Sequence, residues 1–277
     1  MAGTLYLIST PIGNLEDITL RALRVLKEAD LIACEDTRQT RKLLDHFQIA
    51  KPVVSCHEHN EAARAAELVA RLRSGANVAL VTDAGTPLVS DPGYRVTAAA
   101  IEAGVPVVPV PGASAALAAL AAAGLATDQF RFCGFLPPKT AGRRKRLEEL
   151  RGENCTLIFY EAPHRILDAL ADVASVMGSR CVVVARELTK MHEEFLRGSA
   201  AEIRSAFAGR PAVKGEITLL IAGSGGAAEA PDSPAEDAVR ELEARGVSRM
   251  DAIKQVAKAR GLGKREVYRR ISGSGRR

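Results

Sequence analysis

Short apolar runs recur along the first part of the chain, and segments with a helical spacing of apolar residues stand between them. The apolar runs cover residues 5–9, 31–34, 53–55, 78–82 and 105–110. Helical spacing is clearest over residues 20–29 and 62–72. Because the runs are continuous instead of alternating, each strand should be buried on both faces, as in a parallel sheet covered by helices. The pattern predicts an α/β domain, which we place at residues 1–118.

A second group of strand-like runs follows, with fewer helices per strand. Its strands are predicted at residues 130–136, 156–160, 181–186, 194–198 and 218–222, and its helices at 165–176 and 201–208. A higher proportion of strands favours some antiparallel pairing within a second α/β-type domain. We place this domain at residues 119–223.

The composition changes after residue 223. Residues 224–232, SGGAAEAPD, are typical of a flexible linker. Beyond it, the capping signal SPAE and a tight turn, GLG, divide the rest into short helices. These helices are predicted at residues 233–246, 248–260 and 264–271. A tight turn before a basic last helix predicts a helix-turn-helix tail over residues 233–277.

Charge is distributed unevenly along the chain. The net charge is +5, but residues 240–277 hold twelve Lys or Arg against four Asp or Glu, a net +8, which leaves −3 for residues 1–239. A basic end on a slightly acidic body indicates a polyanionic partner that is bound mainly through the tail.

The cysteines and the N-terminal segment argue against an exported or metal-binding protein. The five cysteines are scattered and form no C-x-x-C pair, which favours free thiols in a reducing compartment. In CHEHNE, residues 56–61, the two histidines alternate and would point to opposite sides of a strand, so we predict no metal site. No apolar stretch resembles a signal peptide or reaches the length of a membrane span, and we expect a cytoplasmic protein.

One loop is unusually rich in residues that restrict the backbone. VTDAGTPLVSDPG, residues 81–93, follows an apolar run and holds two Gly, two Pro and two Asp. Ligands bind at the carboxyl ends of strands in open α/β sheets, and Gly85 permits a close approach of the backbone. The loops TPIGN and PGAS, which follow two other strands, should lie beside it. Neither G-x-G-x-x-G nor a P-loop motif occurs, which argues against a dinucleotide or polyphosphate site.

Six segments together carry a resemblance to a known family. They are TPIGNLEDIT, ACEDTRQTRKLL, VTDAGTPLVSDPG, VPGASA, FYEAPHRI and ARELTKMHEEFLRG. In this order and spacing they resemble the bacterial small-subunit ribosomal RNA methyltransferases that methylate a cytidine ribose 2′-hydroxyl in the decoding centre, within the tetrapyrrole-methylase-like superfamily. The resemblance implies a two-domain methylase core, S-adenosylmethionine (SAM) as methyl donor, 16S rRNA in the small ribosomal subunit as substrate, and a homodimer.

The resemblance also implies which residues bind SAM. By their positions in the motifs these are Pro11, Gly13, Asp83, Ala84, Gly85, Thr86, Val89, Ser114, Ala115, Tyr160, Ala185 and Gly215. Thr86 stands where the porphyrin enzymes have Asp, a departure that argues against a tetrapyrrole substrate.

Two polar clusters at strand ends are candidates for activating the acceptor hydroxyl, which is a poor nucleophile. One cluster contains Glu35 and Arg38, and the other contains Glu187 and Lys190. For each residue the alternative is a structural ion pair across the domain junction.

Two basic segments are candidates for contacts with RNA phosphates. They comprise Arg143, Arg144, Lys145 and Arg146, and in the tail Lys264, Arg265, Arg269 and Arg270. A solvated helix start is the alternative for the first segment, and a face for a partner protein is the alternative for the second.

Two other functions stay open. A C-methyltransferase of corrinoid or sirohaem synthesis would have no evident use for the basic tail. A ligand-sensing, DNA-binding regulator would bind a specific operator and would show no turnover.

Overall fold

The computed structural model describes residues 2–225, 235–244, 246–259, 263, 267–268 and 271. The chain divides into two units, residues 1–225 and 226–277. Within the described ranges, no helix is both long enough and apolar enough to cross a membrane.

Five parallel strands form the first sheet of the larger unit. They are β1 (Leu5–Ile8), β2 (Leu31–Cys34), β3 (Val53–Ser55), β4 (Val78–Val81) and β5 (Val107–Val110), in the order β3-β2-β4-β1-β5. Every residue of β2 and β4 is buried, which explains their continuous apolar sequences. The predicted parallel sheet is confirmed. Strand β5 begins later than predicted because the Val105 amide still bonds to the Ala100 carbonyl, 2.9 Å away, at the end of the preceding helix.

Helices cover both faces of this sheet. They are α1 (Leu20–Glu28), α2 (Thr37–His46), α3 (Glu61–Arg73) and α4 (Tyr94–Glu102), and a short 3-10 helix spans Leu15–Asp17. On one face α3 and α4 pack through Leu68 and Val96, and on the other α1 and α2 pack through Val25 and Leu44. The buried residues of α1 recur at helical spacing, so a single apolar stripe faces the sheet.

The second sheet of the same unit is mixed. Its strands are β6 (Phe130–Phe135), β7 (Thr156–Glu161), β8 (Cys181–Arg186), β9 (Glu194–Ser199) and β10 (Ile217–Ile221), in the order β6-β7-β10-β8-β9. Only β6 and β7 pair in parallel; the other neighbours are antiparallel. The sequence-based expectation of antiparallel pairing in this half is therefore confirmed.

One helix joins the two sheets. On one face of the second sheet lie α6 (Thr140–Leu150), α7 (Ile166–Met177) and α8 (Ala200–Ala208). On the other face lies α5 (Ala115–Ala123), which directly follows β5 and packs through Ala119 and Leu120 against Ile158 and Val183. The domain boundaries stay a prediction, and the one between residues 118 and 119 falls within α5.

In the smaller unit, helices α9 (Ala235–Ala244) and α10 (Arg249–Ala259) pack together through Val239, Ile253 and Val256, with Val267 in the same cluster. Most of the predicted linker and most of the third predicted helix, 264–271, fall outside the described residues. The helix-turn-helix arrangement therefore stays a prediction.

Candidate active site

Three loops meet at the carboxyl edge of the first sheet. The Thr10 amide donates to the Gly85 carbonyl over 2.8 Å, and the Gly85 amide donates to the Thr10 carbonyl over 3.1 Å. The Ser9 and Thr86 hydroxyls lie 3.0 Å apart, and Thr86 Oγ1 donates to the Ala113 carbonyl over 3.2 Å. The structure thus brings together the three loops that follow β1, β4 and β5, as their places at strand ends predicted.

The loop after β4 follows a strained backbone path. Leu88 and Ser90 have φ angles of 70° and 67°, in a backbone region that residues other than glycine rarely adopt. Gly85 has a φ angle of 93°. A Cβ atom on Gly85 would lie 3.3 Å from Ile12 Cγ2, so the glycine also permits a close approach of the first loop. Such strain is typical of ligand-binding loops.

A buried carboxylate anchors the far end of this loop. Glu61 Oε1 accepts hydrogen bonds from the amides of Gly93, at 3.0 Å, and Arg95, at 2.7 Å, where α4 begins. Glu61 is the last residue of CHEHNE, so the structure gives that segment an anchoring function. Among the described residues, no group of His, Cys, Asp and Glu side chains is arranged to hold a metal ion.

A cavity of about 390 Å³ lies between the loop cluster and the second sheet. We call it the first cavity. Its lining includes eight of the predicted SAM-binding residues, namely Ala84, Gly85, Thr86, Val89, Ser114, Ala115, Tyr160 and Gly215. Its volume is in the range of small-molecule sites.

The other four predicted SAM-binding residues do not line this cavity. Pro11, Gly13 and Asp83 line a neighbouring cavity of about 510 Å³, the second cavity. Ala185 lines neither cavity, because its side chain is fully buried with Ala116 in the core beneath α5. The lining of the first cavity therefore does not support the prediction that these four residues bind SAM.

Aromatic rings form part of the wall of the first cavity. The Tyr160 ring meets the rings of Phe132 and Phe135 edge to face, with centroids 5.0 and 5.7 Å away. Burial raises the pKa of the Tyr160 hydroxyl, so it stays neutral at physiological pH. Phe135 lines the cavity although no pattern around it indicated a function, since an apolar residue at a strand end is typical of any core.

The sequence analysis also missed Asp91, which lines the first cavity. Burial, chiefly, raises its pKa to about 6, and the carboxylates of Glu35 and Asp83 contribute. Two other acids of the lining have basic partners: Glu161 pairs with Arg165 at 2.8 Å, and Glu216 pairs with a lysine. In the described part of the chain, no basic side chain pairs with Asp91 in this way. A cationic ligand would offset this buried charge.

Residues 4–204 match the family of Tetrapyrrole (Corrin/Porphyrin) Methylases. The chain is 50% identical to "Ribosomal RNA small subunit methyltransferase I" of Halalkalibacterium halodurans, over 96% of this chain and 93% of the relative. It is 48% identical to the protein of that name from Synechocystis, over 96% of each chain. The chain belongs to this methyltransferase family.

Solved structures of low sequence identity share the fold. The uroporphyrin-III C-methyltransferase of Thermus thermophilus, complexed with S-adenyl homocysteine, has a TM-score of 0.55 at 20% identity, covering 79% of this chain and 97% of that chain. A diphthine synthase has a TM-score of 0.58 at 18% identity, covering 79% of this chain and 90% of that one. The predicted α/β methylase fold is therefore confirmed, while the helix-turn-helix tail stays a prediction. Together with the family match and the named relatives, these findings show that the protein is a SAM-dependent methyltransferase.

The first cavity of this methyltransferase suits SAM. SAM carries a sulfonium and an ammonium group, and Asp91 offers a partly buried carboxylate without a basic partner among the described residues. The aromatic wall at Tyr160 and Phe135 offers a surface for a flat heterocycle. The match between the first cavity and SAM therefore depends on the side chains of Asp91, Tyr160 and Phe135.

The predicted catalytic residues Glu187 and Lys190 belong to an ionic network where the two sheets meet. Lys190 Nζ donates to Glu187 Oε1 over 2.8 Å and to Glu216 Oε2 over 2.9 Å. Burial tends to lower the pKa of Lys190, but the hydrogen bonds to both carboxylates raise it overall. The hydrogen bond from Lys190 lowers the pKa of Glu187. Near neutral pH neither residue is suited to act as a base, since the lysine stays protonated and the glutamate is a weakened proton acceptor.

Two glycines make room for this network. A Cβ atom on Gly13 would lie 2.4 Å from Lys190 Cγ, and one on Gly215 would lie 2.4 Å from Glu187 Cδ. The Lys190 side chain therefore crosses directly over the loop that follows β1. The alternative interpretation was a structural ion pair across the junction, but the ion pairs of Lys190 with Glu187 and Glu216 both lie within the half of the chain that forms the second sheet.

The other predicted pair, Glu35 and Arg38, lines neither cavity. Arg38 is 86% exposed and forms a 2.8 Å ion pair with Asp36, whose pKa its hydrogen bonds lower to about 2. Glu35 is partly buried at the end of β2, where burial and then the charge of Asp83 raise its pKa. Among the described residues, no ion pair links Glu35 or Arg38 to the Lys190 network.

The structure changes the prediction for the first basic segment. Arg143 is buried, with its Nε 2.7 Å from Asp172 Oδ2, so it is inaccessible to an RNA phosphate. Arg144 is 54% exposed and lies 2.6 Å from the other Asp172 oxygen. Lys145 and Arg146 lie on the same helix, α6, and stay candidates. The four basic residues predicted in the tail, 264, 265, 269 and 270, lie outside the described residues.

Proposed function

We propose that the protein transfers the methyl group of SAM to the ribose 2′-hydroxyl of a cytidine in the decoding centre of 16S rRNA. The observation that carries the proposal is the first cavity, which is lined by motif residues in a chain that is 50% identical to a protein named "Ribosomal RNA small subunit methyltransferase I". Hydrogen bonds that join the Thr86 hydroxyl to Ser9 and Ala113, in place of an Asp carboxylate, support a substrate other than a tetrapyrrole.

In this proposal SAM lies in the first cavity between the two sheets. SAM supplies a methyl group that is bound to a positively charged sulfur. When the methyl group is transferred, the sulfur departs as a neutral thioether. Gly85 and Ser114 line the site of the ligand, Tyr160 and Phe135 contact its apolar parts, and Asp91 opposes its positive charge. The protein contributes mainly alignment, because methyl transfer from a sulfonium is an in-line displacement.

The ionic network holds Lys190 beside the site. Lys190 lines the second cavity and stays protonated, between the carboxylates of Glu187 and Glu216. Because the two carboxylates outnumber the lysine, in the proposal the network positions the loop that carries Lys190, and other cations attract the RNA. Glu35 and Arg38 lie outside both cavities, so in the proposal they do not contact SAM or the substrate and influence the site only through neighbouring residues.

The reaction is tested with purified small ribosomal subunits that lack 2′-O-methylation. We expect radiolabelled methyl from SAM to appear in one alkali-stable dinucleotide of 16S rRNA, because a methylated ribose resists alkaline cleavage. Large subunits serve as the control and should take up no label. Label in alkali-labile nucleotides only would exclude the ribose acceptor. The absence of transfer to subunits and to naked rRNA, with SAM binding intact, would exclude the proposed function and favour a small-molecule acceptor.

The basic tail is proposed to anchor RNA. Replacing Lys264, Arg265, Arg269 and Arg270 by Ala should weaken binding to small subunits. The slope of log affinity against log salt should fall by about one for each phosphate that the variant no longer neutralises. Binding is measured by fluorescence titration at several salt concentrations. Arg204→Ala, at an exposed position on α8, is the matched control. An unchanged slope in the fourfold variant would contradict the proposal.

Homodimerisation and a cytoplasmic location are also proposed. Helix α4 exposes Tyr94 and Ile101, two large apolar residues seven positions apart and therefore on one helical face, which supports a protein contact there. Sedimentation of the purified protein tests the oligomeric state, and a monomer at micromolar concentration would exclude the dimer.

A further inference from the structure

The second cavity has no assigned function in the proposal above. It lies against the first cavity, and Ile12, Ala84 and Glu216 line both. The two cavities therefore adjoin, and Ala84, on their common lining, has a short side chain.

Polar groups and charges of both signs line the second cavity. Lys42, on α2, and Lys190, in the loop between β8 and β9, are its cations, and Asp83 and Glu216 are its acids. Gln39 and Thr40 supply an amide and a hydroxyl, and Lys42 Nζ lies 3.1 Å from Gln39 Oε1. The Thr40 hydroxyl is buried and has no hydrogen-bond partner within the usual distance among the described residues. Lys42, Gln39 and Thr40 therefore form a polar patch on this lining that suits a phosphate or hydroxyl group of a ligand.

The same cavity has an apolar side. Leu15, which is 39% exposed, and Leu43 both line it. An apolar surface beside an amide and a lysine suits a nucleotide, whose base has flat faces and polar edges and whose phosphates are negative. The cavity is also large enough for a small-molecule ligand, at about 510 Å³.

Asp83 is the acid of this cavity that is free to accept a proton. Glu216 also lines it, but its carboxylate pairs with Lys190. Asp83 Oδ1 accepts a hydrogen bond from the Asp36 amide over 3.2 Å, and no ion pair engages the carboxylate within the described part of the chain. Asp83 also directly precedes Ala84, which lines both cavities.

We infer that the second cavity binds the acceptor nucleotide, with Lys42 at its phosphate and Asp83 as the base that accepts the proton of its hydroxyl. The inference rests on the proposed function and names the acceptor side of the same site. As the acceptor oxygen forms a bond to the methyl carbon, the bond from carbon to sulfur breaks and its electron pair stays on sulfur. The hydroxyl proton passes to the Asp83 carboxylate, and the products are a methyl ether and S-adenosylhomocysteine.

The electrostatic surroundings of Asp83 agree with this role. Burial, first, and the charge of Asp36 raise its pKa above the ordinary value for Asp, while the hydrogen bond from the Asp36 amide opposes the change. The carboxylates of Glu35 and Asp91 also interact electrostatically with Asp83, and Lys42 and Lys190 lie on the lining of the same cavity. A carboxylate with a raised pKa is a stronger base than one with the ordinary value.

Lys42→Glu and Asp83→Asn test the two parts of the inference separately. Rates of methyl transfer to small ribosomal subunits are measured at saturating SAM, and SAM affinity by calorimetry reports whether each variant is folded. Lys27→Glu is the matched control, because Lys27 is an exposed lysine of α1 that lines neither cavity. Lys42→Glu should raise KM for subunits about tenfold or more with little change in kcat. Asp83→Asn should lower kcat by roughly 10² to 10⁴ with little change in KM.

Each outcome decides between the inference and the proposed function. If Lys42→Glu matches Lys27→Glu, or if Asp83→Asn keeps the kcat of the parent, the inference is overturned while the proposed function stands. A loss of SAM affinity in Asp83→Asn as large as its loss of rate would make Asp83 a cofactor ligand and also overturn the inference. If the parent protein methylates neither subunits nor rRNA, the proposed function fails, and the inference fails with it.

Discussion

Asp172→Ala is expected to lower the free energy of unfolding by about 3–5 kcal/mol, the range for removing one partner of a buried ion pair. Both side chains of the pair are about 3% exposed, and Arg143 Nε lies 2.7 Å from Asp172 Oδ2. Without the carboxylate, the guanidinium keeps only neutral partners, such as the Pro138 carbonyl at 3.2 Å. Chemical denaturation with an optical signal for unfolding measures the change.

Two further variants show that the effect arises from the buried charge. Arg144→Ala removes the exposed partner of the same carboxylate and should cost about 1 kcal/mol or less. Combining Asp172→Leu with Arg143→Met removes both buried charges and should recover most of the lost stability. If Asp172→Ala is as stable as the parent, Arg143 is not held as the structure indicates, and its assignment to RNA would be open again.

Asp91→Asn is expected to weaken SAM binding by roughly tenfold to a hundredfold near neutral pH. The parent protein opposes the charge of SAM with a carboxylate that is ionised above its pKa of about 6, whereas Asn is neutral. S-adenosylhomocysteine lacks the sulfonium charge, so its affinity should fall less. Calorimetric titration with both ligands measures the difference, and Ser90→Ala, in the same loop and cavity, is the matched control.

The pH dependence of this effect has a definite sign. A positive ligand favours the ionised form of Asp91, so SAM affinity of the parent should fall as the pH drops through about 6. The difference from Asp91→Asn should then become small below about pH 5. Equal SAM affinity of the two proteins at neutral pH would exclude Asp91 as a partner of the cofactor charge.

Asp91 should also cost stability in the absence of SAM. Its pKa is raised in the folded protein, so its favourable contribution is present at low pH and is lost as the pH rises through about 6. Because Asp91 is only partly buried, Asp91→Asn should stabilise the free protein by about 1–2 kcal/mol at neutral pH, less than the full shift implies. A gain in stability together with a loss of affinity would be the signature of a binding residue.

The strands and the loop cluster could be predicted because their signals are local. Continuous apolar runs at β2 and β4 indicate burial on both faces, and parallel strands place the loops at their carboxyl ends together. Gly85 and the residues around it carried a further signal, since a dense group of Gly and Pro is seldom needed for a simple turn. Eight of the twelve predicted SAM-binding residues accordingly line one cavity.

The misjudged residues differ in the partners that the fold supplies. In the segment RRKR, residues 143–146, the four adjacent cations cannot be told apart from the sequence. In the structure the side chain of Arg143 points inward and bonds to Asp172, 29 positions away. Asp83 and Asp91 look alike within one loop, yet the structure assigns them to different cavities. Glu61 sits in a segment that resembles a weak metal motif and instead bonds the amides of Gly93 and Arg95.

The sequence by itself determined the order of helices and strands, the parallel first sheet, the mixed second sheet, the loops that form the site and the family. Each of these depends on patterns within a few dozen residues or on motifs in a set order. Only the tertiary structure decided which charged groups are buried, which are paired and which face a cavity. Those properties depend on the distance to residues far away in the chain, and the free energy of a charge changes with its surroundings far more than with its neighbours in sequence.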